Sequence, residues 1–93
     1  MTSPDAVFRA LADPSRREML RLLRNGSLTS GEIAAKFSTA WATTSRHLGV
    51  LREAELVIAE RDGSSIRYEL NTTVLQEVVR GLLDHVQLGG DNV

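Results

Sequence analysis

The chain contains no cysteine. That excludes a disulfide scaffold, a thiolate metal centre and a thiol-based redox switch. No apolar run approaches the ~20 residues needed to span a bilayer, and no signal peptide is visible, so the expectation is a cytoplasmic protein without membrane insertion. An excess of charge of one sign is also missing. Eleven Lys and Arg face twelve Asp and Glu, a net charge of −1. Any attraction to nucleic acid must then come from where the arginines sit rather than from their number. Repeats and low-complexity stretches are absent. So are a phosphate-cradling glycine loop, a nucleophile–base pairing and a convergent pair of carboxylates, which leaves an enzyme without its machinery.

What remains is an ordinary globular composition, 42% apolar and 25% charged over 93 residues. That length fits a single domain over 1–93, ordered from about residue 4 to residue 87. A domain of this size buries little surface, and without a disulfide or a metal, association is the usual remaining support.

Local signals divide the chain into five helices and a hairpin. Pro4-Asp5 opens a short first helix to about Ala12, with Val7, Phe8 and Leu11 as its apolar stripe. Asp13 as cap and Pro14 at the first helical position start a second helix, which runs to Arg24 and stops at Asn25-Gly26. Thr29-Ser30-Gly31-Glu32 is a capping box for a third helix ending near Phe37. A fourth helix follows through Ala54, for which Thr39 is the better cap because Ala40 has no side-chain acceptor. At 100° per residue, Thr44, Leu48 and Leu51 share its inner face. Ala42, Arg46, Gly49 and Glu53 lie opposite, flanked by Trp41, Thr43 and Ser45. Asp62-Gly63 reads as a two-residue hairpin turn, which pairs Arg61 with Ser64, Ala59 with Ile66 and Val57 with Tyr68. Asn71 or Thr73 caps the last helix to about Val86, with residues 88–93 fraying. Its stripe of Val74, Leu75, Val78, Val79, Leu82, Leu83 and Val86 is wider than one core contact requires, and the surplus is expected to bury against a second copy of the chain.

Helix, turn, helix and hairpin in this order make a winged helix-turn-helix, a mainly α (α+β) fold that places its second helix in a DNA major groove. The candidate DNA contacts are Trp41, Ala42, Thr43, Ser45, Arg46 and Gly49 on the fourth helix, with Arg61 and Arg67 on the wing. Arg46 has the reach for a guanine edge, and the wing arginines for phosphate or the minor groove. Arg16, Arg17 and Lys36 are weaker phosphate candidates. His47, at the edge of the buried face, reads as a packing histidine. Asp84 and His85 point ~100° apart on a helix, so they form no same-face chelate and no metal site or cofactor is expected.

These residues resemble a known family. Leu11-Ala12-Asp13-Pro14-Ser15-Arg16-Arg17, the Leu28–Ala34 segment, Ser45-Arg46-His47-Leu48-Gly49-Val50-Leu51-Arg52-Glu53-Ala54, and a wing over Val57–Leu70 look like the ArsR/SmtB winged-helix repressors. The likeness covers roughly 6–86. Asn71–Glu77 further resembles a non-metal branch, that of a sporulation-delay immunity-operon autorepressor. The resemblance implies a homodimer through the first and last helices, here Val7, Phe8, Leu11, Val78, Val79, Leu82, Leu83 and Val86. It also implies recognition of a palindromic operator in double-stranded DNA, repression of the protein's own operon, and release by a protein or small-molecule effector. By matching positions it puts Trp41, Ala42, Ser45 and Arg46 nearest the bases. Ala42 departs from the family's usual proline or small polar residue, Ala40 from its usual capping serine, and Trp41 from a polar base reader. Alternative readings are a protein-interaction and dimerisation module, favoured by the near-zero charge, and a metal-responsive repressor.

Overall fold

Two capped, proline-led starts set the first helices of the computed structural model, which describes the backbone of residues 3–86 and the side chains of residues 3–84. The expectations for the His85 and Val86 side chains and for residues 88–93 fall outside that range. Helix α1 (Pro4–Leu11) begins at Ser3, whose Oγ accepts from the Ala6 N–H. Helix α2 (Pro14–Leu22) begins at Asp13, whose Oδ1 accepts from Ser15 N–H at 2.7 Å and Arg16 N–H at 3.4 Å. It tightens into a 3₁₀ turn over Leu23–Asn25 instead of continuing as α-helix to Arg24. Gly26 then takes φ 135°, ψ 173°, a conformation essentially restricted to glycine.

The capping box holds in detail. Glu32 N–H donates to Thr29 Oγ1 at 3.1 Å, and Thr29 N–H donates to Glu32 Oε1 at 2.8 Å. Helix α3 (Ser30–Ala34) is shorter than the sequence suggests, because Lys36 and Phe37 bond back three residues in a tighter turn. Helix α4 (Trp41–Glu53) starts at Ala40 with no side-chain cap. Thr39, expected as that cap, instead places its Oγ1 3.2 Å from Oγ1 of the buried Thr44. At the other end Glu55 adopts φ 63°, Glu55 N–H bonds Arg52 O and Leu56 N–H bonds Leu51 O. This paired closure turns the chain sharply and drops Leu56 into the core beside Leu51, both 0% exposed.

The wing has three strands, not two. Short β1 (Leu28–Thr29) pairs with β3 (Ser65–Leu70), which pairs with β2 (Val57–Asp62), all antiparallel. The hairpin register also differs from expectation. Val57 pairs with Leu70, Ala59 with Tyr68 and Arg61 with Ile66, and the turn is centred on Gly63-Ser64. Gly63 has φ 64° and Ser64 a negative φ, which fits a II′ turn with glycine first. Moving the partner strand by two residues keeps every side chain on its face, so the alternation of apolar residues could not separate the two registers. Helix α5 (Thr72–Val86) follows, with Val74 N–H donating to Asn71 Oδ1.

One core joins these elements: Val7 and Ala10 of α1, Met19 and Leu20 of α2, Ile33 of α3, Leu48 and Leu51 of α4, with Leu56, Val57, Tyr68 and Val74. Val7, expected on a dimer face, is instead fully covered by its own chain. Helix α5 contributes Val74, with Leu75 and Val78 partly buried, and then leaves the core. Val79, Leu82 and Leu83 are 55%, 47% and 42% exposed, and Phe8 of α1 is 46% exposed.

Candidate nucleic-acid interface

The two faces of α4 divide as its sequence suggests. Thr44, His47, Leu48 and Leu51 are buried, whereas Trp41, Ala42, Ser45, Arg46 and Gly49 are exposed, and Thr43 lies between. The residues that fix the helix to the core are therefore not those it offers outward. Trp41 is 55% exposed at the helix's first position. Arg46 is exposed and makes no hydrogen bond or ion pair with any described residue, so its five donors are free for an external acceptor. Gly49 has nothing within 4 Å of the position a Cβ would take. Its lack of a side chain thus answers no internal packing need and leaves the backbone open one turn beyond Arg46. The unsatisfied N–H groups at the uncapped start of α4 add partial positive charge at the same end.

The wing arginines differ from each other. Arg61 is exposed near the turn and has no partner among the described residues. Arg67 is engaged by its own chain: Nε donates to Asp62 Oδ2 at 2.9 Å, and Nη1 lies 3.2 Å from Ser27 Oγ. It braces the hairpin against the segment entering β1.

Behind α4 lies a polar junction that local sequence patterns do not reveal. Arg16 reaches the main chain at the end of α1 and the ring of His47. These partners are up to 31 positions apart, and the only local signal is the Asp13-Pro14 start, which puts Arg16 in the first turn beside the helix before it. Arg17 donates to Leu11 O at 2.8 Å. Partial desolvation pushes the Asp13 carboxyl up, but hydrogen bonds from Ser15 and Arg16 N–H and the nearby His47 and Arg16 outweigh it, so its pKa lies below the ordinary value. The Thr29 N–H bond lowers Glu32, against some desolvation and helped by the Thr29 hydroxyl, Arg67 and Lys36. Among the described residues no three His, Asp or Glu side chains gather as a metal site, and no helix is long and apolar enough to cross a membrane.

Comparison with known proteins points the same way. Residues 13–59 match the profile described as bacterial regulatory protein, arsR family. The transcriptional repressor SdpR of Bacillus subtilis (strain 168) is 40% identical over 87 residues, covering 94% of this chain and 97% of that one. An arsenical resistance operon repressor of Staphylococcus aureus is 33% identical over 76 residues, 82% of this chain and 73% of its own. Among solved structures, an ArsR-like transcriptional regulator from Rhodococcus sp. RHA1 superposes with a TM-score of 0.80 at 26% identity, over 92% of this chain and 80% of that one.

Proposed function

Because this chain belongs to the arsR family of bacterial regulatory proteins, we propose that it is a DNA-binding transcriptional repressor acting as a homodimer on a palindromic operator, its own operon included. The observation that carries this reading is the outward face of α4, where Trp41, Ser45 and the unpartnered Arg46 stand clear of the core. A helix anchored on one side and free on the other can enter a major groove without unfolding anything.

Each exposed group has a distinct chemical task. Arg46 offers paired N–H donors to guanine O6 and N7, Ser45 a hydroxyl to a base edge or phosphate, and Trp41 an apolar plane to a thymine methyl or sugar. Thr43 sits closer to the helix flank. Ala42 and Gly49 present little side chain and allow close approach of the backbone. Arg61 at the wing reaches phosphate or the minor groove, and Arg67 holds the wing in the position from which it does so.

Pairing supplies the second helix. Phe8 on α1 and Val79, Leu82 and Leu83 on α5 are apolar side chains that a single chain leaves in water, while Leu11 and Val78 are partly buried against the core. A two-fold pair built on α1 and α5 would present two copies of α4 to grooves ~34 Å apart. Release then depends on a protein or small-molecule effector, and no catalysis is involved.

Selection of bound duplexes from a random pool tests this reading. The expected product is an inverted repeat with half-sites about one helical turn apart, bound more weakly as salt rises. A tight protein partner with no enrichment of any sequence at low salt would select the interaction-module reading instead.

A further inference from the structure

Arg16 reaches in two directions from the first turn of α2. Its Nε donates to Ala10 O at 2.7 Å and its Nη2 to Arg9 O at 3.0 Å. Both carbonyls lie in the last turn of α1, where helical partners run out. Its Nη1 lies 3.1 Å from His47 Nδ1. A guanidinium has no acceptor, so in a hydrogen bond between the two it is His47 Nδ1 that accepts, which is the Nε2–H tautomer of the ring. His47 is 7% exposed and immediately follows Arg46 on α4. One planar fork thus joins the end of α1 to the inner side of the helix whose outer side carries Trp41, Ser45 and Arg46. The same α1 presents Phe8 outward.

We infer that Arg16 is a positioning residue for DNA recognition: through His47 it fixes α4 relative to α1, and so sets how two recognition helices are spaced in the paired repressor. The inference rests on the DNA-binding reading above. It also removes Arg16 from the phosphate contacts, because three of its N–H directions are occupied inside the molecule. Arg17 keeps its place among the phosphate candidates. It bonds Leu11 O on the same helix end and makes no hydrogen bond to α4 among the described residues.

The test uses the full chain and a duplex recovered from the random-pool selection. Dissociation constants are measured across a salt series for wild type, Arg16→Met, His47→Leu and the double variant. Circular dichroism and sedimentation check that each is folded and equally associated. Arg16→Met and His47→Leu should each weaken binding about tenfold, within the usual span of coupling between sites. The double variant should be no worse than either, and the salt slope should not change. Nitrogen chemical shifts of the His47 ring should show the Nε2–H form in wild type and lose that signature in Arg16→Met. If Arg16→Met does not fold, His47→Leu decides, since it leaves both bonds to α1 intact. Wild-type affinity in folded His47→Leu would overturn the inference. So would additive losses with a salt slope reduced by about one, which mark a direct phosphate contact. A wild-type chain that binds no duplex at low salt would remove the DNA-binding reading and this inference with it.

Discussion

Leu82→Asp should separate the two subunits while leaving each one folded. Leu82 is 47% exposed on the part of α5 that has left the core, so the change removes no core contact. Fully burying a leucine is worth ~1.5–3 kcal/mol, and about half of this one remains to be buried, giving ~1 kcal/mol per subunit. A two-fold interface loses that amount twice. Each new carboxylate must also leave water without a partner, at a cost of several kcal/mol per ion if it becomes fully enclosed. Taking only ~1 kcal/mol for each charge at a partly wet rim, the total is ~4 kcal/mol, about a thousandfold in the dimer dissociation constant. Sedimentation equilibrium at micromolar concentration reads this directly: wild type as dimer, Leu82→Asp as monomer, with matching far-ultraviolet circular dichroism. Operator affinity should fall in step, because a monomer brings one recognition helix instead of two. A variant that stays dimeric at the same concentration would refute the assignment of α5 to the interface.

Other consequences follow from single residues. Gly49→Ala meets no neighbour, so it should raise stability by ~1 kcal/mol in urea unfolding through helix propensity alone, yet weaken operator binding by adding a methyl group to the DNA face. Ala40→Ser should stabilise by ~0.5–2 kcal/mol, since α4 starts with no side-chain acceptor; an unchanged midpoint would show that another group already satisfies those N–H donors. Asp13 and Glu32 titrate below their ordinary values of 3.8 and 4.5 in the folded chain. The unfolded chain therefore takes up protons first, and the stabilisation is complete above those values and lost as pH falls through the folded ones. Urea midpoints should drop on acidification below about pH 4.5, and less steeply in Asp13→Asn.

The elements were legible where a local rule governs them. Asp13-Pro14, the Thr29–Glu32 box and the Asn71 cap each act within three or four residues, and each is found where its sequence puts it. The inner face of α4 was legible for the same reason, since helical period alone separates Thr44, Leu48 and Leu51 from Arg46. What escaped depends on distance or on degeneracy. Strand β1 exists only because β3 lies beside it, and two residues carry no period of their own. The hairpin register was ambiguous because Asp62-Gly63 and Gly63-Ser64 are both acceptable turns and differ by an even shift. The buried state of Val7 was invisible because an apolar stripe does not say which of its members face the core and which face a partner. The pairing of Arg67 with Asp62 and Ser27, and of Arg16 with His47, needs the tertiary fold before it can be seen.

If the outer face of α4 reads DNA, losing Arg46 must be felt at the operator, and Arg46→Ala isolates that effect. Arg46 is exposed and without a partner among the described residues, so its removal leaves the folded chain intact and subtracts only what it does for DNA. Fluorescence anisotropy with the selected duplex should show a loss of ~1–3 kcal/mol, about five- to 150-fold, and weaker discrimination at one base pair in each half-site. Equal affinity and unchanged base preference in the folded, dimeric variant would contradict it.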